Sequence, residues 1–365
     1  MQNNLNLIFE KLNINKWHNK GFKGKGIKVW NCEYLGGHGS DSMSMILQTA
    51  PECEVISSGI SFIKYDIDNI SIPQTVYNNV TYTVKEFIEK FKPDIINASL
   101  KGTHNNGWLR YCQEFLKYKY IPIFNAAGNE NIGDGETITT FFPQELCIAI
   151  GALTYLNDKF IRASYSSVGE ELDFTQSVGL WQGTSSSSPF MVGMVAMMMQ
   201  KYGKMKHYEI YKILKMCSKD LGDVGIDTFN GHGQPYMPTG KYITMSTNSN
   251  EYYVDGNIKT MDTKPVNLNG NVFVPIRAIS ESLGADIKWE PISKTVLIND
   301  IISLQIGNKE AFVGDKKVIL NYAPFIDKNN RTLVPIRFIA EALNCKVDWV
   351  QNESKVMILE NTTNR

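Results

Sequence analysis

The chemistry in this sequence is concentrated in Gly183-Thr184-Ser185-Ser186-Ser187-Ser188-Pro189, which runs into the apolar stretch Phe190 to Met199. Small residues, a proline and then uninterrupted apolar residues predict a tight turn opening into a buried helix. The first N–H groups of a helix have no partner inside it, so they and the helix dipole stabilise negative charge developing there. A serine hydroxyl at that point is suited to attack a carbonyl. A serine-rich turn can equally do no more than cap a core helix. Other parts of the chain must decide.

Three further stretches carry complementary groups: His38-Gly39-Ser40, Ser99-Leu100-Lys101-Gly102 and Ala126-Ala127-Gly128-Asn129-Glu130. Together with the serine-rich turn, and in this order, they resemble the subtilisin family of serine proteases. Gly24-Lys25-Gly26-Ile27-Lys28-Val29 is similar to that family's first core strand. Ala163-Ser164-Tyr165-Ser166-Ser167-Val168-Gly169 is similar to a segment upstream of its nucleophile, and Asp220 to Gly233 to its closing loop. The resemblance covers about Leu5 to Tyr242.

The resemblance implies a role for each residue. Ser185, in Gly-Thr-Ser, is the expected nucleophile, and His38 is the expected general base, with a ring that accepts and returns a proton near neutral pH. Asn129 and the backbone N–H of Ser185 are the expected donors to the oxyanion. Ser99, Leu100, Lys101 and Gly102, with Ala127 and Gly128, are the expected edges of a substrate cleft that pairs an extended peptide as an added strand. Glu33 falls where the family has its triad Asp. It is one methylene longer, and His38 follows only five positions later. Asp41, one helical turn past His38, is the alternative partner for the ring. Lys101 stands where the family has glycine, and Asp173-Phe174-Thr175-Gln176-Ser177 replaces its Ala-Pro-Gly. The short loop before His38 lacks the family's calcium ligands, so no metal site is assigned and calcium is left open. No cofactor is expected.

Stepping outward, alternation of strands with helices predicts a parallel sheet covered on both faces. Ile27 to Cys32, Asp94 to Ser99 and Ile121 to Ala127 read as strands. Asp41 to Gln48, Val84 to Phe91 and Trp108 to Tyr118 read as helices. Glu33, Ser99 and Asn129 then lie at carboxyl ends of strands, where such sheets carry their sites.

After Tyr242 the character changes. Val274-Pro275-Ile276-Arg277 recurs as Val334-Pro335-Ile336-Arg337, sixty residues on, and Trp289 recurs as Trp349. This repeat resembles the stalk domain named after the N-terminal domain of copper amine oxidases. Copper itself is not expected, because all five histidines precede the repeat and a copper site wants imidazole or thiolate. The fold class is therefore α/β: a subtilisin-like parallel sheet with helices on both faces, plus a small C-terminal α+β repeat domain. The expected division is 1–245 for the peptidase domain, a polar linker over 246–257, and two repeats over 258–361.

Composition bounds the function. In 365 residues, Lys+Arg and Asp+Glu are both 37, so no net charge favours nucleic acid or an anionic membrane. Six scattered cysteines show no metal-ligand spacing and read as buried thiols. The N-terminus shows no basic region followed by an apolar stretch, and no run is long enough to span a bilayer. The expectation is a chain that is cytoplasmic at synthesis, with release to the envelope by a route other than a signal. Its expected substrate is polypeptide, and a cell-envelope ligand is the candidate partner of the repeats. The leading function is a serine endopeptidase acting through an acyl-enzyme on Ser185. The alternative is a catalytically inactive subtilisin-fold binding module of a cell-envelope or phage protein.

Overall fold

The structure is a computed structural model that describes residues 2–65, 70–100, 118, 120–130, 145–179 and 181–361. It forms two compact units, Met1–Met237 and Pro238–Arg365. Lys101, Gly102, His104, Cys112 and, but for Tyr118, the helix expected over 108–118 lie outside the described residues.

In the first unit, α1 (Gln2–Lys11) and α2 (Ile14–Asn19) lead into β1 (Lys28–Asn31), α3 (His38–Thr49) and β2 (Glu54–Ser57). A small antiparallel sheet follows, of β3 (Ile60–Tyr65), β4 (Ile70–Tyr77) and β5 (Val80–Thr83). Then come α4 (Val84–Phe91), β6 (Ile95–Ala98), β7 (Ile123–Ala126), β8 (Ile148–Leu156), β9 (Lys159–Arg162) and β10 (Phe174–Ser177). The unit ends on α5 (Thr184–Tyr202) and α6 (His207–Cys217), followed by a short antiparallel pair. The main sheet has the order β10-β8-β7-β6-β1-β2, parallel throughout, with β9 antiparallel on β8. Every residue of β6 and β7 is buried, as expected of strands covered on both faces.

The pleat sends neighbouring residues of β1 to opposite faces. Trp30 packs on Phe87 of α4, with ring centroids 4.6 Å apart, in a cluster with Ile56, Ile88 and Ile96. Helix α4 forms because Val84, Phe87 and Ile88 make one apolar face and Thr83 with Glu86 closes a capping box. Asn31 goes the other way, towards α3 and α5 (its amide bonds the Gly39 carbonyl). Those two helices approach closely: a Cβ at Gly193 would overlap Thr49.

Pro189 departs from expectation. It lies inside α5, five residues past Thr184, and not at the helix start. A proline there has no N–H to offer the carbonyl four residues back, which is that of Ser185.

The second unit corrects the division of the chain. The boundary falls at Met237/Pro238, and residues 246–257 are no linker. Tyr242–Ser246, Glu251–Val254 and Asn257–Thr260 are consecutive antiparallel strands. Their sheet is completed by Lys355–Glu360 and Cys345–Val350, from the far end of the unit. A second five-stranded sheet joins Ile302–Gln305, Glu310–Val313 and Lys316–Ile319 to Thr295–Ile298 and Ile287–Glu290. Each sheet thus takes three strands from one repeat and two from the other, so the first repeat starts at Tyr242. Polarity misled because these strands run out to the edge of their sheet, where Asn257–Thr260 is exposed along its whole length.

The two repeats meet on a local pseudo-dyad. Asn271–Pro275 pairs antiparallel with Thr332–Pro335, and Val274 lies opposite its own counterpart Val334. Pro275 and Pro335 each cap a short helix, Ile276–Leu283 and Ile336–Ala342. Beside the first helix lies a cavity of about 820 Å³ lined by Pro275, Ile276, Arg277, Ile287, Trp289 and Val296. The counterparts Pro335, Ile336, Arg337, Val347, Trp349 and Val356 line a smaller one of about 160 Å³.

Candidate active site

Three neighbouring parallel strands, β1, β6 and β7, end at one edge of the sheet, and helices α3 and α5 start there. Beyond β1 the chain must turn at once into α3, and Gly36 (φ +127) and Gly37 (φ +48) make the turn in conformations that side chains rarely adopt. A Cβ on Gly39 would overlap the carbonyl oxygen of Tyr34. His38 therefore occupies the first turn of α3, closer to the strand end than the helix expected from Asp41.

The short loop brings His38 back over Glu33. The ring Nδ1–H donates to Glu33 Oε2, and Ser42, one turn further along α3, donates its hydroxyl to Oε1 at 3.1 Å. Glu33 is buried, while half of the His38 side chain is exposed. Asp41 makes no such bond and acts on the ring through its charge alone. The hydrogen bond to Glu33 holds the imidazole pKa above its usual 6.5; partial burial opposes this, and the charges of Glu33 and Asp41 add to it. With Nδ1 protonated, Nε2 carries the free lone pair.

The four serines at the start of α5 divide cleanly. Ser186 accepts from Gly179 N at 3.0 Å, Ser187 donates to Gln176 O at 2.9 Å, and Ser188 donates to Asn97 Oδ1 at 2.9 Å. All three are buried. Ser185 is partly exposed, and its hydroxyl makes no hydrogen bond among the described residues, to His38 or to any other. The three followers are tied down and are more than small fillers. In apo enzymes the bond from nucleophile to base is often long and closes only with substrate.

Asn129 is exposed at the end of β7 and folds back on the same helix start. Its Oδ1 accepts from Thr184 N at 2.8 Å and from Thr184 Oγ1 at 3.2 Å. This leaves the Nδ2 donors without a partner among the described residues. Gly128 N donates to Thr184 Oγ1 at 3.1 Å. Tyr165, which the sequence placed only within a resembling segment, accepts from Gly183 N at 2.8 Å and so steadies the turn before Thr184.

The expected cleft residues are less uniform. Ser99 is buried, and its hydroxyl donates to the carbonyl of Ser185 at 3.3 Å, so the side chain works inward. The Leu100 carbonyl accepts from Asn125 Nδ2 at 3.1 Å, and Ala127 N is engaged with Ile150 O. Residues missed in the sequence are Ser42, Tyr165, Asn31 and Asn97. Ser42 had a signal, since it sits four residues from His38 on one helix face. Among the described residues, no group of three or more His, Cys, Asp or Glu side chains could hold a metal ion, and no helix is long and apolar enough to cross a membrane.

A parallel sheet with this site at its carboxyl edge is the arrangement of the subtilase family, whose family model matches residues 31–233. The chain belongs to that family. The copper amine oxidase N-terminal domain model matches 237–298 and 253–358, two overlapping stretches of the second unit. Subtilisin NAT of Bacillus subtilis subsp. natto is 30% identical over 144 residues, covering 36% of this chain and 37% of the relative. Subtilisin of Bacillus pumilus is 29% identical over 143 residues, covering 35% and 50%. The aligned part thus spans between about a third and a half of these relatives' own length. Among solved structures, a lanthipeptide protease superposes with a TM-score of 0.43 at 14% identity, over 62% of this chain and 93% of that one.

Proposed function

We propose that this chain is a serine endopeptidase. Ser185 Oγ attacks the scissile carbonyl carbon while His38 Nε2 takes its proton. Glu33 holds the ring in the Nδ1–H tautomer and stabilises the imidazolium that forms. The carbonyl oxygen becomes an oxyanion facing Ser185 N–H and Asn129 Nδ2. Collapse of the tetrahedral adduct expels the amine, which receives the proton from His38, and leaves an acyl-ester on Ser185. Water, deprotonated by the same ring, then releases the acid. An extended peptide substrate would lie between Ser99–Leu100 and Ala127–Gly128 as an added strand.

The observation that carries this reading is the division among the serines. Three hydroxyls are buried and bonded, and the one in the Gly-Thr-Ser position has no hydrogen bond among the described residues. The test is labelling with a fluorophosphonate probe, which phosphonylates an activated serine. Wild type and Ser186→Ala should label, and Ser185→Ala should not. Labelling that survives Ser185→Ala would move the nucleophile elsewhere. A folded wild type that neither labels nor cleaves any peptide would make the fold an inactive binding module.

A further inference from the structure

The face of the sheet beneath α3 and α5 is crossed by a row of buried polar side chains that an apolar core would not need. Ser57, Asn31 and Asn97 lie side by side, because Asn31 is in register with Ser57 on β2 and with Asn97 on β6. Asn31 and Asn97 are fully buried. Asn31 Nδ2 donates to Ser57 Oγ at 3.0 Å and to Gly39 O at 3.2 Å, the carbonyl next to His38. Asn97 Nδ2 donates to Asn31 Oδ1 at 2.8 Å and to Ser99 Oγ at 3.2 Å. Asn97 Oδ1 accepts from Ser188 on α5, and Ser99 Oγ donates to Ser185 O.

We infer that Asn31 and Asn97 are positioning residues that key the first turn of α3, which carries His38, to the first turn of α5, which carries Ser185. The inference rests on the catalytic reading of Ser185 and His38. Both donors of each amide are used and both oxygens accept, so neither side chain can turn without stranding a buried polar group. Pro189 supplies the reason for the α5 end of the chain. It deprives the Ser185 carbonyl of its helical partner, and Ser99, held by Asn97, takes that place. The α3 end follows from the short loop Tyr34 to Gly37, which ties Glu33 to His38 but leaves the helix start to be fixed from below.

Asn31 and Ser188 bond to the same amide, that of Asn97, and not to each other, so they offer a clean cycle. The variants are Asn31→Leu, a near isostere, the milder Ser188→Ala, and the double. Each is assayed for its second-order rate with a fluorophosphonate probe, per folded molecule, and for backbone amide exchange in 38–42 and 184–188. Misplacement of reacting groups by ångströms costs up to ~10²-fold. Asn31→Leu should slow labelling ~10-fold and Ser188→Ala ~3-fold, with the double no slower than Asn31→Leu alone. The pH midpoint of labelling should stay put, because the Glu33–His38 bond is not part of the row. Asn31→Leu should also speed exchange in 184–188, across the sheet from the substitution. Unchanged rates per folded molecule, or effects that simply multiply, would overturn the proposal. If the wild type does not label at all, the catalytic reading falls. The exchange data then decide alone: faster exchange confined to 38–42 rejects the coupling, and faster exchange in both segments supports it.

Discussion

Glu33 and His38 stand five residues apart in the chain and are joined by a hydrogen bond from ring to carboxylate. The extra methylene of glutamate is taken up by the brevity of the loop: α3 begins at His38 itself, directly above the strand end. If this pair orients and charges the base, Glu33→Gln removes the charge at nearly constant shape. An acid-to-amide change of this kind in a serine protease costs ~10⁴-fold in turnover. With His38 half exposed, 10²–10⁴-fold is the range expected here, on the order of that value or less. Glu33→Asp should also lose activity, and Asp41→Asn should do little. A steady-state assay of the three variants checks this, and an active Glu33→Gln beside an inactive Asp41→Asn would reverse the assignment.

The raised pKa of His38 gives a pH signature. The base must be neutral to take the serine proton, so activity is lost as pH falls through the raised value. The acid limb of kcat/KM should have its midpoint above 6.5. In Glu33→Gln the main cause of the rise is gone, with only the charge of Asp41 left to raise it, and whatever activity remains should have a midpoint moved down towards 6.5.

Gly39→Ala tests the geometry of the loop. The new methyl would meet backbone, the Tyr34 carbonyl, which cannot step aside like a side chain. Overpacking of this kind costs about 1–3 kcal/mol. Thermal unfolding should show the loss. The Glu33–His38 pair should be pulled apart with it, so the acid limb should also shift down. A variant of wild-type stability would show that the turn is more open.

Asp173 supplies a stability test away from the catalytic groups. It is buried, accepts from Ala149 N at 2.8 Å, and burial pushes its pKa up to about 7 against the hydrogen bonds from Ala149 and Tyr211. A folded-state value above the unfolded one means that its contribution is fully present below about pH 4 and is lost as pH rises through about 7. Asp173→Asn keeps an acceptor for Ala149 N and cannot ionise. Relative to wild type, it should be neutral near pH 4 and more stable near pH 8, by on the order of 2–4 kcal/mol. Denaturant melts at the two pH values check this. Equal differences at both would mean that the carboxyl stays ionised in the fold.

The strand exchange between repeats predicts how the chain can be cut. A chain ending at Met237 should retain probe labelling at Ser185, because the whole of the first unit is kept. One ending after Ile298 keeps the first repeat but removes the two strands that complete its sheet, Cys345–Val350 and Lys355–Glu360. Its C-terminal part should be open to limited proteolysis. Resistance there would mean that one repeat folds alone.

Some of this was determined by the sequence itself. Val84, Phe87 and Ile88 mark α4 by spacing, and the runs around Ile96 and Phe124 mark buried strands, because period and burial are local properties of a chain. The order of the blocks around His38, Asn129 and Ser185 was enough for the family, since each block is a short stretch with its own chemistry. Glu33 was the first candidate and Asp41 the alternative, but that Glu33 is the one hydrogen-bonded to His38 needed the turn through Gly36 and Gly37 to be seen, because residue types do not state where a side chain ends up. Asn31 and Asn97 looked like ordinary polar residues in apolar strands. Their partners lie across a parallel sheet and on a helix ninety residues on, and register between distant strands is set by tertiary packing. The same reason hid the stretch 246–257. An exposed edge strand such as Asn257–Thr260 reads as polar loop until the sheet behind it is seen, in which Glu251–Val254 joins it to Tyr242–Ser246 and the strand Lys355–Glu360 returns to pair with the latter.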